Sequence, residues 1–73
     1  MSPDEKLIYM ANQIADFFAA QGEERTIIGV ADHLQKFWEP YMRTRLLALA
    51  DRDLSKLKPA VRKALPLIKV PAP

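Results

Sequence analysis

Ser2-Pro3-Asp4-Glu5-Lys6-Leu7-Ile8-Tyr9-Met10-Ala11-Asn12-Gln13-Ile14-Ala15-Asp16-Phe17-Phe18 decides the fold class. Ser2 is a good N-cap and Pro3 suits the first helical position. Glu5, three residues after Ser2, completes a capping box. Asp4 and Glu5 complement the positive end of the helix dipole. Leu7, Met10, Ala11, Ile14, Phe17 and Phe18 then recur at helical spacing, with Ile8 and Ala15 widening the stripe. The pattern predicts a helix over Pro3–Ala20, stopped at Gln21-Gly22 by a glycine able to take the left-handed cap conformation.

The rest of the chain repeats this grammar. A second helix opens at Glu24 or Thr26 and carries Ile27, Val30, Ala31, Leu34, Phe37 and Trp38 as its apolar positions. Pro40 biases Glu39 away from helical angles and ends it. Gly29 inside it costs about 1 kcal/mol relative to alanine, which close approach of another helix would explain. A third helix starts at Pro40, carries Met42, Leu46, Leu47, Leu49 and Ala50, and exits at Asp51-Arg52-Asp53. A fourth runs from Lys58 to Leu65 and stops at Pro66. No segment alternates as a strand does. The expected architecture is all-α: a small compact bundle of three to four short helices, one domain over residues 1–66, with an extended or frayed tail over 67–73 ending in Pro-Ala-Pro.

With 73 residues and no cysteine, the chain builds neither disulfides nor thiolate metal sites. A domain this small buries only about 60% of its unfolded surface, so helix packing or a protein partner has to supply stability. There is no secretory signal and no apolar run of about 18 residues, and a cytoplasmic protein off the membrane is expected. The net charge of +2, from 11 basic and 9 acidic residues, is too balanced to argue for nucleic acid by itself. Its distribution is uneven. Lys56, Lys58, Arg62, Lys63 and Lys69 form a basic C-terminal segment, suited either to solvent or to an acidic surface.

Catalytic chemistry finds no footing. The serines are Ser2, at the terminus, and Ser55, in a charged loop, so a nucleophile–base arrangement is absent. The single histidine, His33, lacks companions for a metal site. Glu23-Glu24 sits at a helix start, where acidic residues are ordinary. No glycine-rich phosphate loop is present. The expectation is a non-catalytic chain with no cofactor or metal of its own.

Candidate residues are therefore those of an interface. Asn12-Gln13 interrupts an apolar helix, as a solvated face or as amides for a partner's backbone. Phe37-Trp38-Glu39-Pro40-Tyr41-Met42-Arg43 gathers three aromatics, a methionine and an arginine around a helix-breaking proline, and Trp, Tyr and Arg are the types enriched at binding hot spots. Phe37 and Trp38 also suit core anchors. Tyr41, Met42 and Arg43 are expected to face a partner, with Arg43→Ala leaving the isolated fold nearly intact.

Two stretches resemble the delta subunit of soluble NAD-dependent formate dehydrogenases, the multisubunit molybdenum or tungsten enzymes. One is Leu7 to Phe18. The other is Val30 to Arg43, similar to that family's H-L-x-x-F-W-[DE]-P-x-M-R pattern. Together they cover about the first two-thirds of the chain, and nothing after Arg52 matches a family motif. The resemblance implies an accessory subunit. The large alpha subunit would carry bis-molybdopterin guanine dinucleotide and iron–sulfur clusters, the beta subunit FMN and the NAD site, and the gamma subunit a further cluster. It implies a role in cofactor insertion or retention, or in complex stability. The candidate partner-binding residues are then Asn12, Gln13, His33, Trp38, Pro40, Tyr41, Met42 and Arg43, with Phe37 also in the family pattern. Two other classes compete: a small helical nucleic-acid-binding module and a self-associating helical protein.

Overall fold

The computed structural model describes residues 1–69. Four helices follow one another: α1 (Pro3–Phe18), α2 (Glu23–Phe37), α3 (Pro40–Arg52) and α4 (Pro59–Ala64), with 3-10 turns at Ala19–Gln21, Leu54–Lys56 and Leu65–Leu67. No strand occurs among the described residues. The all-helical expectation holds.

The capping box of α1 forms as its sequence dictates. Glu5 N donates to Ser2 Oγ and Ser2 N to Glu5 Oε1, each at 3.1 Å. The helix stops at Phe18, two residues short of the expected end, because its last turn tightens into a 3-10 turn that meets Gly22. Gly22 has φ 95° and ψ 161°. The positive φ is as expected, but ψ lies outside the left-handed helical region, so the residue reverses the chain and also serves as N-cap of α2. That brings the start of α2 forward to Glu23. Thr26, expected as an opening residue, sits in the first turn and is buried. Its Oγ lies 2.7 Å from Gly22 O and 3.0 Å from Phe18 O, so one hydroxyl proton closes the α1–α2 turn.

The core is built on small residues at close contacts. Ala11 and Ala15 of α1, Ala31 of α2, Ala50 of α3 and Ala64 of α4 are buried beside Val30, Leu34, Leu46 and Val61, the largest fully buried side chains. Each of these four contributes about 1.5–3 kcal/mol by leaving water. α2 packs against both α1 and α4, and α3 lies on α1. Because alanines form the contact line of α1, its bulky residues stand on the flanks. Phe17, expected in the apolar stripe, is 78% exposed.

Trp38 and Glu39 are extended, with ψ 142° and 149°, which breaks α2 from α3 where Pro40 requires it. Trp38 turns inward and is buried. Phe37, expected as a core position of α2, is the last residue of that helix and stays outside. The chain continues past α4 against the core. Pro66 and Leu67 complete a 3-10 turn, Ile68 is extended and buried, and Lys69 N donates to Gln35 Oε1 at 2.6 Å. The final Pro-Ala-Pro, expected to be frayed, lies outside the described residues.

A candidate docking face at the α2–α3 corner

The residues singled out by sequence separate into two groups. Asn12, Trp38 and Arg43 serve the fold. Asn12 Nδ2 donates to Lys56 O and its Oδ1 accepts from Lys58 N, both at 2.9 Å, so its amide clamps the loop before α4. Arg43, expected to face outward, is 7% exposed. Its Nη1 points at the C-terminal carbonyls of α2, with Trp38 O at 2.5 Å, Leu34 O at 3.3 Å and Gln35 O at 3.4 Å, and its Nε donates to Lys69 O at 3.1 Å. A helix leaves its last carbonyls without intrahelical donors, and they carry partial negative charge. Arg43 supplies both donors and countercharge. Arg43 thus lies inside rather than facing outward, and its four carbonyl contacts give a reason for Arg43→Ala to weaken the isolated fold.

The second group faces solvent. Phe37 and Tyr41, on either side of buried Trp38, are each 72% exposed. Pro40 is exposed beside Tyr41, and Met42 is half-buried against the core. His33, half-buried, sets its ring 4.9 Å from that of Phe37. Gln13 is exposed, and its Nε2 donates only to Tyr9 Oη, one helical turn away, among the described residues.

Tyr41 and Met42 join Pro3, Lys6, Leu7 and Met10 of α1 in lining an open, mainly apolar groove of about 320 Å³. The two helices are pinned together at its edge. Arg45 Nε and Nη2 donate to the two carboxylate oxygens of Asp4 at 2.9 and 2.7 Å. That hydrogen bonding holds the Asp4 carboxyl below its ordinary pKa and raises that of Arg45. Pro3, Leu7 and Met10 were not singled out as site residues. The signal was present in the 4-3-4-3 spacing of Pro3, Leu7, Met10, Ile14 and Phe17, an apolar edge distinct from the Ala11–Ala15 contact line.

The basic C-terminal segment finds much of its acidic surface within the chain. Lys58 pairs with Asp16 and Lys63 with Glu23, and Arg62 Nε donates to Leu57 O at 2.8 Å. Among the described residues no three of His, Cys, Asp and Glu converge as a metal-binding group. Among the described residues no helix is long and apolar enough to cross a membrane.

Compared with known proteins, residues 6–65 match the family model described as NADH-dependent formate dehydrogenase delta subunit, FdsD. No curated protein and no solved structure matches the chain. The match runs from Lys6 in α1 through α4, and includes the groove apart from Pro3, the aromatic corner and most of the region after Arg52. This chain belongs to the delta-subunit family of NADH-dependent formate dehydrogenases.

Proposed function

We propose that the chain is a non-catalytic accessory subunit of a cytoplasmic formate dehydrogenase complex, docking on the large alpha subunit and supporting insertion or retention of its molybdenum cofactor, or the stability of the assembly. The observation that carries this reading is the exposure of Phe37 and Tyr41 at a corner whose neighbours, Trp38 and Arg43, are locked into the fold. Two large aromatics presented on a rigid mount cost little entropy to bind, which is how hot-spot residues gain their leverage.

Size sharpens the reading. A stable interface takes about 800 Å² from each partner. The molecule measures 33 × 26 × 18 Å, so such a contact occupies most of one broad face. The corner is then the centre of the contact, and the groove with Met10 and Tyr41 part of its spread.

The metal, clusters, flavin and nicotinamide belong, in this reading, to the alpha, beta and gamma subunits. The residues here do not fit them: the chain has no cysteine, and among the described residues no three of His, Cys, Asp and Glu converge. What the chain contributes is shape and apolar contact. The test is to express the complex with and without this subunit, then compare molybdenum content of the alpha subunit and subunit stoichiometry. Lost metal with intact assembly indicates maturation, and retained metal with a looser complex indicates a structural role. Unchanged metal and unchanged assembly overturn the proposal.

A further inference from the structure

We infer that Arg43 is a positioning residue that joins the end of α2, the start of α3 and the chain's C-terminal segment into one clasp, and that this clasp sets the placement of Phe37 and Tyr41 for docking. The inference deepens the proposed function and rests on it for the identity of the partner.

The geometry is specific. Nη1 of Arg43 faces the carbonyls of Leu34, Gln35 and Trp38, while Nε takes the carbonyl of Lys69. Lys69 is held from its other side as well, since its N–H donates to Gln35 Oε1. Ile68, one residue earlier, is buried in the core. One cationic side chain thus bonds two segments separated by about thirty positions of sequence, and no carboxylate pairs with it among the described residues. A buried guanidinium is retained at such a cost when its planar fork fixes several acceptors together. The acceptors here flank the exposed aromatics. Phe37 immediately precedes Trp38, whose carbonyl is held, and Tyr41 lies two residues before Arg43 on the same helix.

A merely structural arginine would lower stability without regard to the corner. A positioning arginine changes the corner first. The chain has one tryptophan, and it lies at the clasp, so its fluorescence reports that place alone. The experiment uses the full chain and its Arg43→Ala, Arg43→Lys and Gln35→Ala variants, with Val61→Ala as a core-destabilised control on α4 that leaves every hydrogen bond of the clasp in place. Three quantities are read at a temperature where circular dichroism shows the variants helical: Trp38 emission, thermal midpoint, and capture by the remaining formate dehydrogenase subunits.

The expected result is a red shift of Trp38 emission and at least about tenfold weaker capture for Arg43→Ala, against less than about threefold for Val61→Ala at comparable midpoint loss. Gln35→Ala, which frees only the C-terminal arm, shifts both readouts in the same direction by less. Arg43→Lys, whose ammonium lacks the fork, restores them only in part. Equal capture loss for Arg43→Ala and Val61→Ala, or unmoved Trp38 emission in Arg43→Ala, overturns the inference. If Arg43→Ala unfolds, Gln35→Ala and Arg43→Lys decide, and wild-type emission and capture in both overturn it. A wild-type chain that no subunit captures sinks the docking proposal instead, and the inference about docking with it, while the emission series still reports whether the clasp holds the corner.

Discussion

Gly29 of α2 and the ring of Phe18 are fitted to one another: a Cβ built on Gly29 would stand 2.8 Å from Phe18 Cδ1 and 2.9 Å from Cγ. The glycine is there for its missing side chain, since it lies within a helix and needs no unusual backbone angle. Alanine at this position gains about 1 kcal/mol of helix propensity. It also forces the ring aside, and overpacking costs about 1–3 kcal/mol. Phe18 is half-buried, packs on the core and meets Phe17 edge to face, so the ring has little free room. Gly29→Ala should therefore lower stability by about 1 kcal/mol. In a Phe18→Ala background the same change should become stabilising, because only the propensity gain is left. Urea denaturation of the four chains in this cycle checks the sign reversal. A Gly29→Ala effect independent of Phe18 would show that the contact does not explain the glycine.

Asn12 and Gln13 are neighbours in the chain with opposite duties. Asn12→Ala removes two hydrogen bonds that hold the loop before α4, at about 0.5–1.5 kcal/mol each. Asn12→Asp keeps the acceptor for Lys58 N but turns the donor toward Lys56 O into a second acceptor, so it should not rescue the loss. Gln13→Ala touches only Tyr9 and should stay within about 0.5 kcal/mol of wild type. Denaturant midpoints of the three variants give the comparison, and equal effects at both positions would contradict it.

The legible and illegible parts of the chain differ in the range of the interactions that decide them. The caps and breakers at Ser2, Gly22 and Pro40 act through their own backbone, so the helices could be read locally to within two or three residues. Whether an apolar residue points inward is decided by its neighbours in space. Phe17 and Phe37 carry the right spacing for a core stripe, yet Ala11, Ala15 and Trp38 take the inner positions and leave both rings outside. Arg43 follows the same rule. Its type suits a surface, and nothing local reveals that the unpaired carbonyls of α2 and of Lys69 converge on it. The groove was half legible: Tyr41 and Met42 stood out, while Pro3, Leu7 and Met10 merged with the core pattern.

Acid should destabilise the fold through exposed carboxylates with dedicated partners. Hydrogen bonds from Arg45 to Asp4, from the backbone of Ser2 to Glu5 and from Ser55 to Asp53 lower all three folded-state pKa values. A depressed carboxylate adds stability that is fully present above its ordinary value, 3.8 for aspartate and 4.5 for glutamate, and is lost as pH falls through the folded value. The thermal midpoint should thus hold flat near neutrality and decline from about pH 5 downward. Ser2→Ala should lower the midpoint at neutral pH but keep much of the acid decline, since the backbone N–H of residue 2 still donates to the Glu5 carboxylate, whereas Glu5→Gln should make that decline shallower by removing the titrating group. Added salt should weaken the Asp4–Arg45 part by screening while leaving the capping bond largely intact. A midpoint that rises on acidification would contradict the assignment.

Phe37, Trp38 and Tyr41 are three aromatics within five residues, and their exposures separate folding from docking. Trp38 is 6% exposed against 72% for each of the others. Trp38→Ala empties a core position and should cost about 3–5 kcal/mol, a large share of what so small a domain has. Phe37→Ala loses a ring contact with His33, and Tyr41→Ala uncovers one wall of the groove; each should change the free chain's stability by no more than about 0.5 kcal/mol. In the proposed complex their order inverts. Phe37→Ala and Tyr41→Ala should each weaken capture by the other subunits by about 2 kcal/mol, the loss typical of a central aromatic anchor. Thermal unfolding of the free chain and quantitative pull-down with the remaining subunits measure the two columns independently. Strong destabilisation of the free chain by Tyr41→Ala would place that ring in the core, and full capture by the Phe37→Ala, Tyr41→Ala double variant would move the docking face away from this corner.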